Sequence, residues 1–128
     1  MKKIIKMLSL SALLVAFSAN AEVKLKDSSD ILGRWNLYAE AIKLDGEQKK
    51  VQVEWDFMPD GTLQTISTDS VGRTNEMRIA IKYSVENGMI KKQTSPGREK
   101  YDECHVISKE GSDMTLKCSG MFFFLKKL

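Results

Sequence analysis

The chain has 128 residues, 20 of them basic and 17 acidic, with one histidine and a formal net charge of +3. That length supports one domain with one modest core. A balance this near to neutral supplies no basic field for nucleic acid or anionic membrane.

The positive excess sits at the start. Lys2, Lys3 and Lys6 precede an apolar run from Met7 to Ala19, and Ala19-Asn20-Ala21 has the small-x-small pattern of a signal peptidase site. Residues 1–21 are therefore expected to be a secretory signal peptide, leaving 22–128 as one domain. The apolar run is shorter than the roughly 20 residues a membrane-spanning helix needs, and it holds no cysteine for a lipid anchor. Removing three lysines and no acid takes the formal charge to zero. The expected product is periplasmic or secreted, with no transmembrane segment in the mature chain and no nucleic-acid partner. Two cysteines in such a chain predict one disulfide, Cys104 to Cys118.

Beyond a turn near Ser28–Leu32, the pattern is of short strands. Strands are expected near 33–44, 49–58, 62–69, 76–86, 89–94, 99–109, 113–119 and 121–127. Val51, Val53, Trp55 and Phe57 alternate with Gln52, Glu54 and Asp56, a period of two. Pro59-Asp60-Gly61 marks a turn, across which Phe57 faces Leu63 and Trp55 faces Thr65. Ile79, Ile81, Tyr83 and Val85 alternate with Ala80, Lys82 and Ser84, and Asn87-Gly88 is a strong hairpin signal that pairs Val85 with Ile90. Glu110-Gly111-Ser112 read as a three-residue loop pairs Lys109 with Asp113 and Ser108 with Met114, and sets Val106 against Leu116 and Cys104 against Cys118. Directly opposed antiparallel residues lie about 4.5–5.5 Å apart, within reach of a disulfide. Met121 to Leu125 is apolar on both faces. The expectation is that Phe122 and Phe124 point inward, with Met121, Phe123 and Leu125 covered by Val23–Ile31 or left as an exposed patch.

About eight strands joined by tight hairpins, each with one apolar face, predict an all-β fold, an up-and-down antiparallel barrel. A membrane barrel would put its apolar face outward. Here the outward positions carry Gln52, Glu54, Asp56, Arg78 and Lys82, which predicts a soluble barrel.

Gly33-Arg34-Trp35, opening the first strand, resembles the G-x-W element of the lipocalin (calycin) superfamily. Phe57-Met58-Pro59-Asp60-Gly61-Thr62 and Tyr83 through Ile90 fit its compact bacterial lipocalin-like domains, so the resemblance spans residues 31–127. It implies a barrel with a cavity open at one end, Trp35 as a plug at the closed end, and small apolar ligands. Where the family stacks an arginine of the last strand over that Trp, this chain offers Lys126 or Lys127.

The inward residues Trp55, Phe57, Thr65, Ile79, Ile81, Tyr83, Val106 and Leu116 are the candidate ligand-binding set, with Tyr83 or Thr65 as a polar handle. The alternative is an interior filled by its own side chains, which a barrel of this size permits. His105 is expected on the outer face with Ile107. No catalytic residue, metal site or cofactor is expected: no G-x-S-x-G elbow is present, and Cys104, His105 and Cys118 cannot converge because neighbouring strand residues face apart. Loops 69–76 and 95–98 are expected to rim the mouth, and the pairs Lys49-Lys50, Lys91-Lys92 and Lys126-Lys127 to be solvated surface. The leading expectation is an exported, non-enzymatic binder of a fatty acyl-like molecule in the barrel interior. The competing one is a protein-binding module, such as a protease or lysozyme inhibitor, acting through the N-terminal arm Val23–Asp30 or the loops.

Overall fold

Side chains that alternate in polarity can bury one face only if the strands share a centre, and that is the arrangement found. The computed structural model describes residues 22–68 and 76–128; the expected signal segment and nearly all of loop 69–76 lie outside the described residues. Eight antiparallel strands close a barrel in sequence order: β1 (Gly33–Ala41), β2 (Lys49–Phe57), β3 (Thr62–Ser67), β4 (Met77–Glu86), β5 (Met89–Gln93), β6 (Tyr101–Glu110), β7 (Asp113–Cys118) and β8 (Met121–Lys127). β8 pairs back with β1, setting Trp35 opposite Lys127 and Leu37 opposite Leu125. The strand bounds and the barrel follow the sequence reading closely.

The hairpin registers follow it too. Phe57 opposes Leu63, Trp55 opposes Thr65 and Val85 opposes Ile90. Cys104 opposes Cys118 and is disulfide-bonded to it, with Cα atoms 4.3 Å apart.

Two registers differ. The β6–β7 turn uses only Gly111 and Ser112, so Glu110 opposes Asp113, Lys109 opposes Met114 and Ser108 opposes Thr115. A β-bulge between Val106 and Ser108 absorbs the offset and restores the cysteine pair. The tip of the hairpin is thus shifted by one residue while its base is as expected, because a bulge inserts one unpaired residue.

On β8 the expected parity is reversed. Leu125 belongs to the central core and Phe123 packs against it, whereas Phe122 and Phe124 form a separate cluster with Ala39 and Ala41. The cause is the two-residue turn at Ser119-Gly120, which opposes Cys118 and Met121; an inward Cys118 forces Met121, Phe123 and Leu125 inward. A register shift between Leu37 and Ala39 then sets Ala39 and Ala41 opposite Phe124 and Phe122 on the outer face. The outer phenylalanines are not covered by the N-terminal segment. Tyr38 lies 6.4 Å from Phe124 between ring centroids, and the Lys117 ammonium sits 5.5 Å over the Phe122 ring.

The N-terminal segment instead closes the bottom. Val23 N–H donates to the Val106 carbonyl (2.8 Å) and Leu25 N–H to that of Gly88 (3.1 Å), where β5 is too short to accompany β6. Gly88 has φ +80°, and a Cβ there would meet the Lys24 side chain at 2.6 Å, so only glycine lets the arm pass. His105, on the outer face as expected, pairs with Glu22 through Nδ1 at 3.0 Å. A 3₁₀ turn at Ser28–Asp30, capped by Asp27, leads to Ile31 beneath Trp35.

Candidate functional site

The inward side chains divide into two levels. At the closed end Phe57, Leu63, Ile90, Met114, Val106, Leu116 and Leu125 are fully buried. Trp35 lies at 2% exposure among the buried core, and its indole Nε1 donates to the Ile31 carbonyl at 2.9 Å. Lys127 places its ammonium 4.9 Å over the Trp35 ring, where a cation is attracted to the π-face, and donates to the Leu32 carbonyl. Gly33 has φ +111°, and a Cβ at that position would stand 2.7 Å from the Lys127 ammonium. The glycine and tryptophan of G-x-W thus act together, one leaving room for the cation that covers the other.

Of the eight expected lining residues, Phe57, Ile81, Tyr83, Val106 and Leu116 belong to this packed lower half. The Tyr83 hydroxyl is committed there: it donates to the Met58 carbonyl at 2.8 Å, and burial pushes the phenol pKa up. It ties down the β2–β3 turn and offers no handle to a ligand.

The other three occupy the upper half. Trp55 is 6% exposed and forms its floor, with the Phe123 ring 5.9 Å away on one side and the Phe57 ring 6.0 Å away beneath. Ile79 and Thr65 stand half-buried on the wall with Val53 and Phe123. The Thr65 hydroxyl donates to the Ile79 carbonyl at 3.4 Å, a long bond. At the rim, Met77, Ile42 (74% exposed) and Leu44 (49%) meet solvent. This apolar rim on the β1–β2 loop is absent from the sequence reading.

The upper half also holds a charge that the sequence reading placed on the surface. Lys92 opposes Tyr83 on β4 and Asp102 on β6, both on inward positions. Its side chain is only 15% exposed, and its ammonium sits 5.7 Å from the centroid of Trp55 and 3.5 Å from Asp102 Oδ2. The other carboxylate oxygen of Asp102 accepts from the Ser119 hydroxyl at 2.8 Å. The signal was legible: the Asn87-Gly88 turn that pairs Val85 with Ile90 must also pair Tyr83 with Lys92.

Loop Ser95–Arg98 does not stand over the mouth. Buried Gln93 accepts from Lys82 N–H (2.8 Å) and donates to the Arg98 carbonyl (2.9 Å), pinning the loop along the outer side of β4. A further concavity of about 610 Å³ lies outside the barrel, where Asn36, Gln48, Lys50, Gln52 and Thr68 surround Tyr38, Ala39 and Val51. Among the described residues, no three His, Cys, Asp or Glu side chains are grouped to hold a metal ion.

No family model and no curated protein matches the sequence. The structure is similar to that of a lipocalin-like protein from Bacteroides uniformis, at TM-score 0.63 and 20% identity over 77% of this chain and 99% of that one. It is also similar to an uncharacterized protein from Bacteroides eggerthii, at TM-score 0.57 and 16% identity over 76% and 98% of the two chains. The fold is lipocalin-like.

Proposed function

We propose that this chain is an exported, non-enzymatic binder of small apolar molecules, held in the upper half of the barrel. One observation carries the reading. A barrel that merely filled its own interior would bury all its inward apolar side chains, yet Val53, Ile79 and Phe123 are inward and only half-buried above the Trp55 floor. Binding would remove that surface from water at roughly 25 cal/mol per Å². Concave, mostly apolar sites with few polar groups are the usual form of small-ligand pockets. The Cys104–Cys118 bond supports an oxidising compartment, periplasmic or extracellular. The competing reading, an inhibitor with an inserted N-terminal arm, is weakened by the docking of Val23 and Leu25 against the barrel.

The test is a titration with the uncharged fluorescent probe N-phenyl-1-naphthylamine. The account expects saturable enhancement at one probe per chain, reversed by decanol. Natively folded protein that takes up no probe would overturn it.

A further inference from the structure

We propose that the outer wall of the barrel carries a separate site, a hollow between β1 and β2 that takes neutral saccharides. The inference rests on no part of the interior-binding reading.

The hollow exists because two strands carry an extra residue at the same level. From Leu37 to Ala39, β1 advances by two residues while its partner β8 advances by one, from Leu125 to Phe124. Over the same stretch β2 advances by three, from Val53 to Lys50. Tyr38 thus has no partner in either ladder, and Val51 and Gln52 have none on β1. Such bulges bend the strand and re-aim its side chains. The space they open is about 610 Å³, within the roughly 300–1,000 Å³ of small-molecule sites and roomy enough for a disaccharide.

The lining combines a flat apolar surface with uncharged polar groups. Ala39, at 2% exposure, and half-buried Val51 supply the floor. Tyr38 is exposed at its edge, with the ring set against Phe124 at 6.4 Å between centroids. An aromatic ring backed on one side and open on the other offers contact area at little entropic cost. Around it stand three carboxamides and a hydroxyl, those of Asn36, Gln48, Gln52 and Thr68. Gln93, a structural amide elsewhere in the wall, has both its groups committed to backbone; Asn36, Gln48 and Gln52 have no such partners among the described residues.

These features select a ligand class. A carboxamide both donates and accepts, and so does every sugar hydroxyl, so the match needs no charge. A pyranose carries hydroxyls on its rim and C–H groups on its faces; one face lies on Tyr38 and the floor while the rim meets the amides. Among the described lining residues only Lys50 is charged, and it is exposed. An anionic ligand would meet one hydrated ammonium and a cation no acid at all. A hydrocarbon would desolvate the amides without replacing their hydrogen bonds, which is costly. A saccharide satisfies floor and rim together.

The experiment adds N,N′-diacetylchitobiose or cellobiose, both uncharged disaccharides, to the ¹⁵N-labelled, disulfide-bonded chain. It follows the side-chain NH₂ signals of Asn36, Gln48 and Gln52. At least one of the sugars is expected to move them together and saturably, with a dissociation constant on the order of 1 mM for a site this open, while the Trp55 indole signal stays fixed. Tyr38→Ala should weaken binding about tenfold. Gln52→Leu should weaken it about fivefold, the value of one neutral hydrogen bond, and leaves the Tyr38–Phe124 contact in place should the first variant fail to fold. Both variants should take up N-phenyl-1-naphthylamine as the parent does. If neither disaccharide moves the three amides at tens of millimolar, the assignment falls and the interior reading is untouched. Glycerol producing the same shifts at equal hydroxyl concentration would also overturn it, because the ring face would then play no part.

Discussion

The lower and upper halves of this barrel are built from the same strands, yet they use them differently. Below, Phe57, Ile90, Leu116 and Leu125 interlock with almost no exposure, and the end is sealed by Trp35, Lys127 and the N-terminal arm. Above, Val53, Ile79 and Phe123 continue the same inward rows but remain half-buried around a charged floor. Stability is thus concentrated in one half and exposed apolar surface in the other. Substitutions should separate the two.

The largest effect is expected at the seal. Trp35→Ala removes a buried indole and leaves the Ile31 carbonyl without its donor; urea denaturation should show a loss of about 3–5 kcal/mol. A loss under about 1 kcal/mol would show that the closed end is not where the core is held. Next comes the staple. Replacing Cys104 and Cys118 together by serine opens a loop with a sequence separation of 14 and should cost about 3 kcal/mol, with no change in ligand affinity if the upper half is formed by the register alone.

In the upper half the pattern inverts. Val53→Ala deletes partly exposed methyl groups, so stability should fall by less than about 1 kcal/mol, while affinity for an apolar probe falls measurably in the same titration. Equal losses in both would erase the distinction between halves.

The smallest effect belongs to the outer wall. Arg34 donates to both Glu54 oxygens, at 2.7 and 3.0 Å, and these bonds hold the Glu54 carboxyl below the ordinary value of 4.5. A depressed folded value means that its contribution is complete above about pH 4.5 and disappears as pH falls through the lower folded value. Exposed pairs contribute little. Glu54→Gln should therefore shift the thermal midpoint only slightly at pH 7, and the variant and the parent should converge in acid.

Much of this division could be read from the residues. Alternation on β2 and β4, the Asp60-Gly61 and Asn87-Gly88 turns and the cysteine spacing fixed strand number, order and the inward rows. What could not be read were the bulges. At Ile107 and Tyr38 no glycine or proline announces an extra residue, because a bulge is the outcome of competition between turn geometry and strand pairing. The parity of β8 was hidden for a different reason: Phe122, Phe123 and Phe124 are alike, so the hydrophobic pattern has no preferred face, and only the Ser119-Gly120 turn decides. Lys92 was misplaced because a lysine in a lysine pair looks like surface, although the register already assigned it inward. The half-buried state of the upper wall depends on how far the barrel stays open, which no local pattern encodes.

The two tryptophans provide one reporter in each half. With ¹⁵N-labelled protein, the indole N–H signal of Trp55 should shift progressively and saturably as 1-octanol is added, while that of Trp35 stays fixed. A shift at Trp35 of the same size, or a bound alcohol that leaves Trp55 unmoved, would contradict a sealed lower half beneath a receptive upper one.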